Sequence, residues 1–176
     1  MKDRKLLNSE LGRISAEQYR EAAPSGVEVI LDDVRSAHNV GSILRSCDAF
    51  RIDKAWFCGI TPAPPSAEIH KTALGAEDSV RWEHRPDAAA LVRYLRQEGF
   101  RVLAVEQTER SVKLQDFVRE SGERLALVFG NEVDGVRQEV VDECDAALEI
   151  PQYGTKHSLN VSVCAGIVLW KVTDKR

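Results

Sequence analysis

The feature that most constrains this chain is a rhythm: short apolar runs of strand length alternate with polar loops and segments of helical pattern. Residues 27–31 (Val-Glu-Val-Ile-Leu), 54–58 (Lys-Ala-Trp-Phe-Cys), 100–105, 125–129 and 146–150 read as strands, with a weaker one at 79–83. Helices are predicted at about 40–50, around 68–74, after Pro86-Asp87 and at 135–144, and 113–118 is read as a turn of helix. The helix after Pro86-Asp87 is the clearest, because Leu91, Val92 and Leu95 share one side and Gly99 marks its end. Such alternation predicts an α/β fold, a mostly parallel sheet with helices on both faces. Ligands in such sheets bind at the carboxyl ends of the strands, which directs the search to loops 32–45, 130–135 and 150–160.

A chain of 176 residues, 43% of them hydrophobic, suits one domain with a short appendage. The appendage is residues 1–25, expected as a helical extension over 6–23. Ser15-Ala-Glu-Gln18 fits a capping box there, and Leu11, Ile14 and Tyr19 give it a sticky side. Residues 26–176 form the main domain. The net charge of −4 does not announce a nucleic-acid binder, yet a local basic face is enough to meet a phosphate backbone. Candidate cations are Arg35, Arg45, Lys71, Arg81, Arg85 and Lys156, with Lys2, Arg4 and Lys5, each of which also reads as ordinary solvated charge. Cys47, Cys58, Cys144 and Cys164 are scattered in apolar surroundings and read as small hydrophobes rather than reactive thiols. No His or Cys spacing suits a metal, so none is expected. No segment is long enough to cross a bilayer and no signal peptide is seen, so the expected location is cytoplasmic.

Residues 149–170 carry the most unusual pattern. Polar and apolar residues alternate over 158–163, as in a strand, and then Cys164-Ala-Gly-Ile-Val-Leu-Trp170 is apolar on nearly every face. A buried helix suits that run better than a strand, with Ser158 as its cap.

The three loops have chemical content. In the first, Asn39 can cap the following helix, Gly41 permits close backbone approach, and Arg45 lies well inside the helix. The second, Phe129-Gly-Asn-Glu-Val-Asp-Gly135, holds two glycines around Glu132 but lacks both the P-loop and the GxGxxG spacing. The third leads into the C-terminal helix. Taken in order, Asn39-x-Gly41-x-x-x-Arg45, Gly130-x-Glu132-x-x-Gly135 and Ile150-Pro151 followed by Ser158-Leu-Asn-Val-Ser162 resemble three signature motifs of one family. It is the SpoU (TrmH-like) branch of the SPOUT RNA 2′-O-methyltransferases, and the resemblance spans roughly residues 27–172.

The resemblance implies S-adenosylmethionine as methyl donor, a ribose 2′-hydroxyl of tRNA or rRNA as acceptor, a homodimer, and a C-terminal trefoil knot around the cofactor. No pattern in the sequence itself shows a knot, and fold-level rules argue against threaded chains. It also implies that Val105, Gly130, Ile150, Leu159 and Ser158 hold the cofactor, with Glu106 beside Val105 on a further wall. Asn39, Arg45, Glu132, Ser158 and Asn160 fall on the catalytic and site-building positions. The departures are small: Ser42 stands where many relatives carry asparagine, and Phe50 near a common glycine.

Several roles stay open at this level. By analogy Arg45 is the base, but a free arginine has a pKa above 12, and neutralising it near pH 7 costs about 7–8 kcal/mol. The alternative keeps it cationic, fixing phosphate and ribose. Glu132 either braces loop backbone or handles a proton. Ser158 and Asn160 either cap the helix or touch substrate. His38 and His157 are candidate bases or plain loop residues. Competing functions are a non-catalytic RNA-binding paralogue and a nucleotide-binding enzyme of another class.

Overall fold

The computed structural model describes residues 3–174; Lys2 lies outside them. Seven strands form one parallel sheet: β1 (Val27–Asp32), β2 (Lys54–Cys58), β3 (Arg81–Arg85), β4 (Arg101–Val105), β5 (Val112–Lys113), β6 (Leu125–Phe129) and β7 (Ala146–Glu149). Their order is β3-β2-β1-β6-β4-β7-β5, with every pairing parallel. The helices are α1 (Ala16–Glu21), α2 (Ala37–Ala49), α3 (Ala67–Ala73), α4 (Ala76–Ser79), α5 (Ala88–Gln97), α6 (Gln138–Val141) and α7 (Val161–Thr173).

Burial explains the layering. β6 is Leu-Ala-Leu-Val-Phe and buried at all five positions, as a central parallel strand covered on both faces must be. Val29, Leu31, Leu127 and Phe129 meet Ile43 and Leu44 of α2 and Val168 and Leu169 of α7 on one face. Ile30, Ala126 and Val128 meet Leu91, Val92 and Leu95 of α5 on the other. Each such side chain contributes roughly 1.5–3 kcal/mol when taken out of water. Helices therefore cover both faces, as the alternation of patterns predicts.

Several boundaries differ from the sequence reading. The expected helix over 6–23 is reduced to a 3-10 turn at Asn8–Glu10 and to α1. Gly12, at φ +60°, interrupts the segment, and the Ser15/Gln18 capping box starts α1 afresh. Leu11 and Ile14 remain exposed, while Tyr19 fixes α1 to the domain through the carbonyls of Cys47 and Ile52. α2 starts earlier than expected, because Ser36 and not Asn39 caps it. Residues 135–144 hold only the four-residue α6. Of 113–118, Lys113 belongs to β5 and Leu114–Asp116 form a 3-10 turn. α7 starts at Val161, so Asn160 caps it and Ser158 does not. Residues 158–160 have no regular structure, which excludes the strand alternative.

α7 is also less buried than its composition suggests. Ala165, Val168, Leu169 and Val172 face the core, but Val163, Ile167 and Trp170 stand 51%, 38% and 54% exposed along the opposite side. Among the described residues no helix is long and apolar enough to cross a membrane.

Candidate active site

The carboxyl ends of β4, β6 and β7 and the entry to α7 enclose a cavity of about 460 Å³. Val105, Phe129, Leu148, Ile150 and Leu159 give it apolar walls, and Glu106, Glu132, His157, Ser158 and Asn160 give it polar ones. A cleft at the carboxyl ends of parallel strands, with apolar walls and convergent polar groups, is where such folds bind small molecules.

Two glycines shape it. A Cβ on Gly130 would lie 2.0 Å from the Gly135 carbonyl carbon and 2.1 Å from the Val136 nitrogen, so the loop can fold back on itself only with glycine there. Asn131 and Gly135 close it with paired backbone hydrogen bonds of 2.9 and 3.0 Å. Gly135, at φ +69°, leaves room for the Glu106 carboxylate, which accepts the Val136 N–H at 3.0 Å and the Gln107 N–H at 2.7 Å.

Glu132 ties this loop to α2. One carboxylate oxygen accepts the Arg35 N–H at 2.9 Å, and the other accepts the Ser36 N–H at 3.0 Å and the Asn39 amide at 2.9 Å. A carboxylate at a helix start satisfies free donors and meets the positive end of the dipole. Burial by itself would raise the Glu132 pKa; the three hydrogen bonds outweigh it and hold the carboxyl below its ordinary value. The carboxylate therefore braces the start of α2. Because its pKa is depressed in the fold, its contribution to stability is present above the unfolded carboxylate pKa and lost as pH falls through the folded one. Glu132→Gln should lower Tm by about 2–4 °C at pH 7, the equivalent of about 1 kcal/mol for a chain of this size, because solvent screens the exposed carboxylate. The deficit should shrink below about pH 4, where the wild-type carboxylate also protonates. Thermal melts across pH check this, and a deficit that does not change with pH would refute the charged brace.

The third loop joins the same network. The Asn160 amide donates to Asn39 Oδ1 at 3.1 Å, while its own Oδ1 caps α7 through the Ser162 and Val163 N–H groups. Asn39, Glu132 and Asn160, one from each loop, thus form a single hydrogen-bonded chain. Ser158 lines the cavity with its hydroxyl free of partners among the described residues.

Arg45 is placed elsewhere. It is exposed on α2, makes no hydrogen bond or ion pair among the described residues, and lines a second cavity with Ser42, Ser46 and Lys71. Of the other candidate cations, Arg4 and Arg85 pair with Glu10 and Glu83, and Arg81 donates to the Arg20 carbonyl. The His38 carbonyl accepts from Ser42 and Thr72, and the His157 carbonyl accepts from Gln107. Burial pushes the thiols of Cys58, Cys144 and Cys164 up to about 12 and that of Cys47 up as well, as small hydrophobes behave. No cluster suited to a metal occurs among the described residues.

Two anchors escaped the sequence reading. Asp32, fully buried at the end of β1, accepts from the backbone and guanidinium of Arg137, which fixes the segment after the glycine loop. Asn131 donates to the Asp33 carbonyl at 2.8 Å, fastening the second loop to the first. The adjacent acids Asp32-Asp33 at a strand end were the available signal.

A family model described as "SpoU rRNA Methylase family" matches residues 26–170. The tRNA (guanosine(18)-2′-O)-methyltransferase of Thermus thermophilus is 31% identical over 170 residues, covering 96% of this chain and 84% of the relative. The 23S rRNA (guanosine-2′-O-)-methyltransferase RlmB of Escherichia coli is 34% identical over 152 residues, covering 84% of this chain and 60% of that protein. This chain thus spans about three-fifths of that rRNA-modifying relative. Among solved structures, a TrmH/SpoU tRNA modifying enzyme from A. aeolicus is similar with a TM-score of 0.78 at 27% identity, covering 90% of this chain and 80% of that one. An AdoMet-bound rRNA methyltransferase from Sinorhizobium meliloti is similar with a TM-score of 0.76 at 27% identity, covering 85% and 59%.

Proposed function

The chain belongs to the SpoU rRNA methylase family, and on that premise we propose that it transfers a methyl group from S-adenosylmethionine to a ribose 2′-hydroxyl of tRNA or rRNA in the cytoplasm. The observation that carries the reading is the Asn160–Asn39–Glu132 chain, which joins all three motifs at the mouth of one cavity. Residues 26–176 are the methyltransferase domain and 1–25 an extension. A C-terminal knot comes with the family reading.

The cavity fits the cofactor. About 460 Å³ lies within the usual range for small-molecule sites, and Gly130 and Gly135, by letting the loop fold back on itself, leave main chain at the cavity wall. Val105, Ile150 and Leu159 would hold the adenine between apolar surfaces, Gly130 would admit close backbone approach, and Ser158 would contribute its unpartnered hydroxyl. Bound S-adenosylmethionine supplies a methyl group activated by a sulfonium. The protein's own work is positioning and charge. Asn39, Glu132 and Asn160 hold the start of α2 against the cofactor loops, which fixes where Arg45 is presented. As a cation without a carboxylate partner, Arg45 holds an RNA phosphate and stabilises the negative charge that develops on the ribose oxygen. The proton leaves to water or phosphate, since both Glu132 oxygens already accept hydrogen bonds.

Calorimetry with S-adenosylmethionine and with NAD tests the cofactor class: binding of the first alone is expected, and binding of NAD alone would overturn the reading. Mapping 2′-O-methylated sites in RNA from cells with and without the gene should reveal a site lost with it.

A homodimer belongs to the same reading. The apolar stripe of Val163, Ile167 and Trp170 runs between Cys164, which lines the cofactor cavity, and Gly166, where a Cβ would lie 3.8 Å from Ser46 of the Arg45 cavity. A second copy seated on the stripe covers the apolar surface and borders both cavities. Light scattering after gel filtration is expected to give a dimer that Trp170→Glu converts to monomer. A monomeric wild-type protein would contradict this.

A further inference from the structure

The second cavity offers chemistry that the first does not. It lies between α2 and α3, and Ser42, Arg45, Ser46, Phe50, Lys71 and Thr72 line it without any carboxylate. Its hydroxyl protons are already engaged: Ser42 donates to the His38 carbonyl at 2.9 Å, Ser46 to the Ser42 carbonyl at 3.1 Å, and Thr72 to the His38 carbonyl at 3.0 Å. The free donors are the two cations. Neither Arg45 nor Lys71 has a hydrogen bond or ion pair among the described residues.

Gly41 explains why these cations come together. A Cβ there would lie 2.1 Å from Thr72 Oγ1 and 2.3 Å from the Ile69 carbonyl oxygen, so α3 docks on α2 only because position 41 has no side chain. Arg45 is one helical turn beyond Gly41 on α2, and Lys71 directly precedes Thr72 on α3. The glycine of the Asn39-x-Gly41-x-x-x-Arg45 motif thus carries a second cation to the arginine of the same motif.

We propose that Lys71 and Arg45 form a two-cation clamp for one backbone phosphate of the substrate RNA, with Lys71 contributing to RNA affinity. The inference rests on the RNA methyltransferase reading. A forked guanidinium and a point-charge ammonium on opposite walls of an acid-free groove suit a phosphate that must be held in one orientation. Neither residue lines the cofactor cavity, so RNA and cofactor binding are separable.

The test compares wild type, Lys71→Ala and Lys71→Arg on total RNA from cells lacking the gene, with KM, kcat and salt-dependent binding measured alongside S-adenosylmethionine affinity and Tm. Lys71→Ala should raise Kd and KM for RNA about tenfold, the scale of one lost charge-assisted hydrogen bond. Its slope of log K against log salt should be shallower by about 0.7–0.9, the value of one released phosphate contact. Its kcat, cofactor affinity and Tm should stay near wild type, and Lys71→Arg should restore binding. Wild-type RNA affinity and salt slope in Lys71→Ala, or equal loss in Lys71→Arg, would overturn the clamp while leaving the methyltransferase reading intact. A wild-type protein that methylates no RNA would remove that reading and the clamp with it.

Discussion

Arg45→Ala should lower methyl transfer by about a hundred- to a thousandfold while leaving S-adenosylmethionine affinity within about twofold, the scale of removing one charge-stabilising donor from a reaction centre. The split follows from placement. Arg45 is exposed, has no partner among the described residues, and lies outside the cofactor cavity. Its loss removes no internal contact, so Tm should not move. Lys cannot reproduce the planar fork, so Arg45→Lys should recover only part of the rate. The measurements are single-turnover methyl transfer and calorimetry on the same preparations. Near-normal turnover by Arg45→Ala would sink its assignment.

Gly130→Ala should have the opposite profile. The added methyl meets backbone on three sides, at 2.0 Å from Gly135 C, 2.1 Å from Val136 N and 2.2 Å from Gly135 O, and none of these can swing aside as a side-chain end can. The loop must open, breaking the Asn131–Gly135 pair and moving Glu132 off the start of α2. Overpacking of this kind costs about 3 kcal/mol, or roughly 6–12 °C in Tm for a chain of this size. Cofactor affinity should fall at least about a hundredfold, since the loop that lines the cavity shifts. Gly154→Ala is the control: a Cβ there meets nothing within 4 Å, and that variant should melt and bind like wild type. Full cofactor binding by Gly130→Ala would show that the cavity at the ends of β4, β6 and β7 is not the cofactor site.

Much of the fold was legible because parallel strands announce themselves. β6 was delimited to the residue, since a strand covered on both faces is apolar at every position. β5 was not, because two residues carry no periodicity. The caps misled for a related reason. Ser36 and Asn39, and Ser158 and Asn160, are all competent capping residues within three positions of one another, and tertiary contacts choose between them. The motif residues were found by their order along the chain, but their mutual roles were not. Glu132 is held chiefly by backbone N–H groups of Arg35 and Ser36, which no side-chain pattern encodes. α7 shows a further limit: an all-apolar helix reads as buried, whereas three of its residues form a free face. Composition does not distinguish a core from an exposed apolar face.

Methyl transfer to a ribose oxygen of RNA is the activity proposed for this chain. Its most direct test incubates the protein with methyl-labelled S-adenosylmethionine and total RNA from cells lacking the gene, followed by alkaline hydrolysis. A 2′-O-methyl group blocks cleavage at its own nucleotide because the attacking hydroxyl is gone, so the label should be recovered in alkali-resistant dinucleotides. It should be absent from those dinucleotides when Arg45→Ala replaces the wild type. Label recovered only in mononucleotides would place the methyl on a base, and no label in RNA at all would mean no transfer; either result would contradict ribose methylation by this chain.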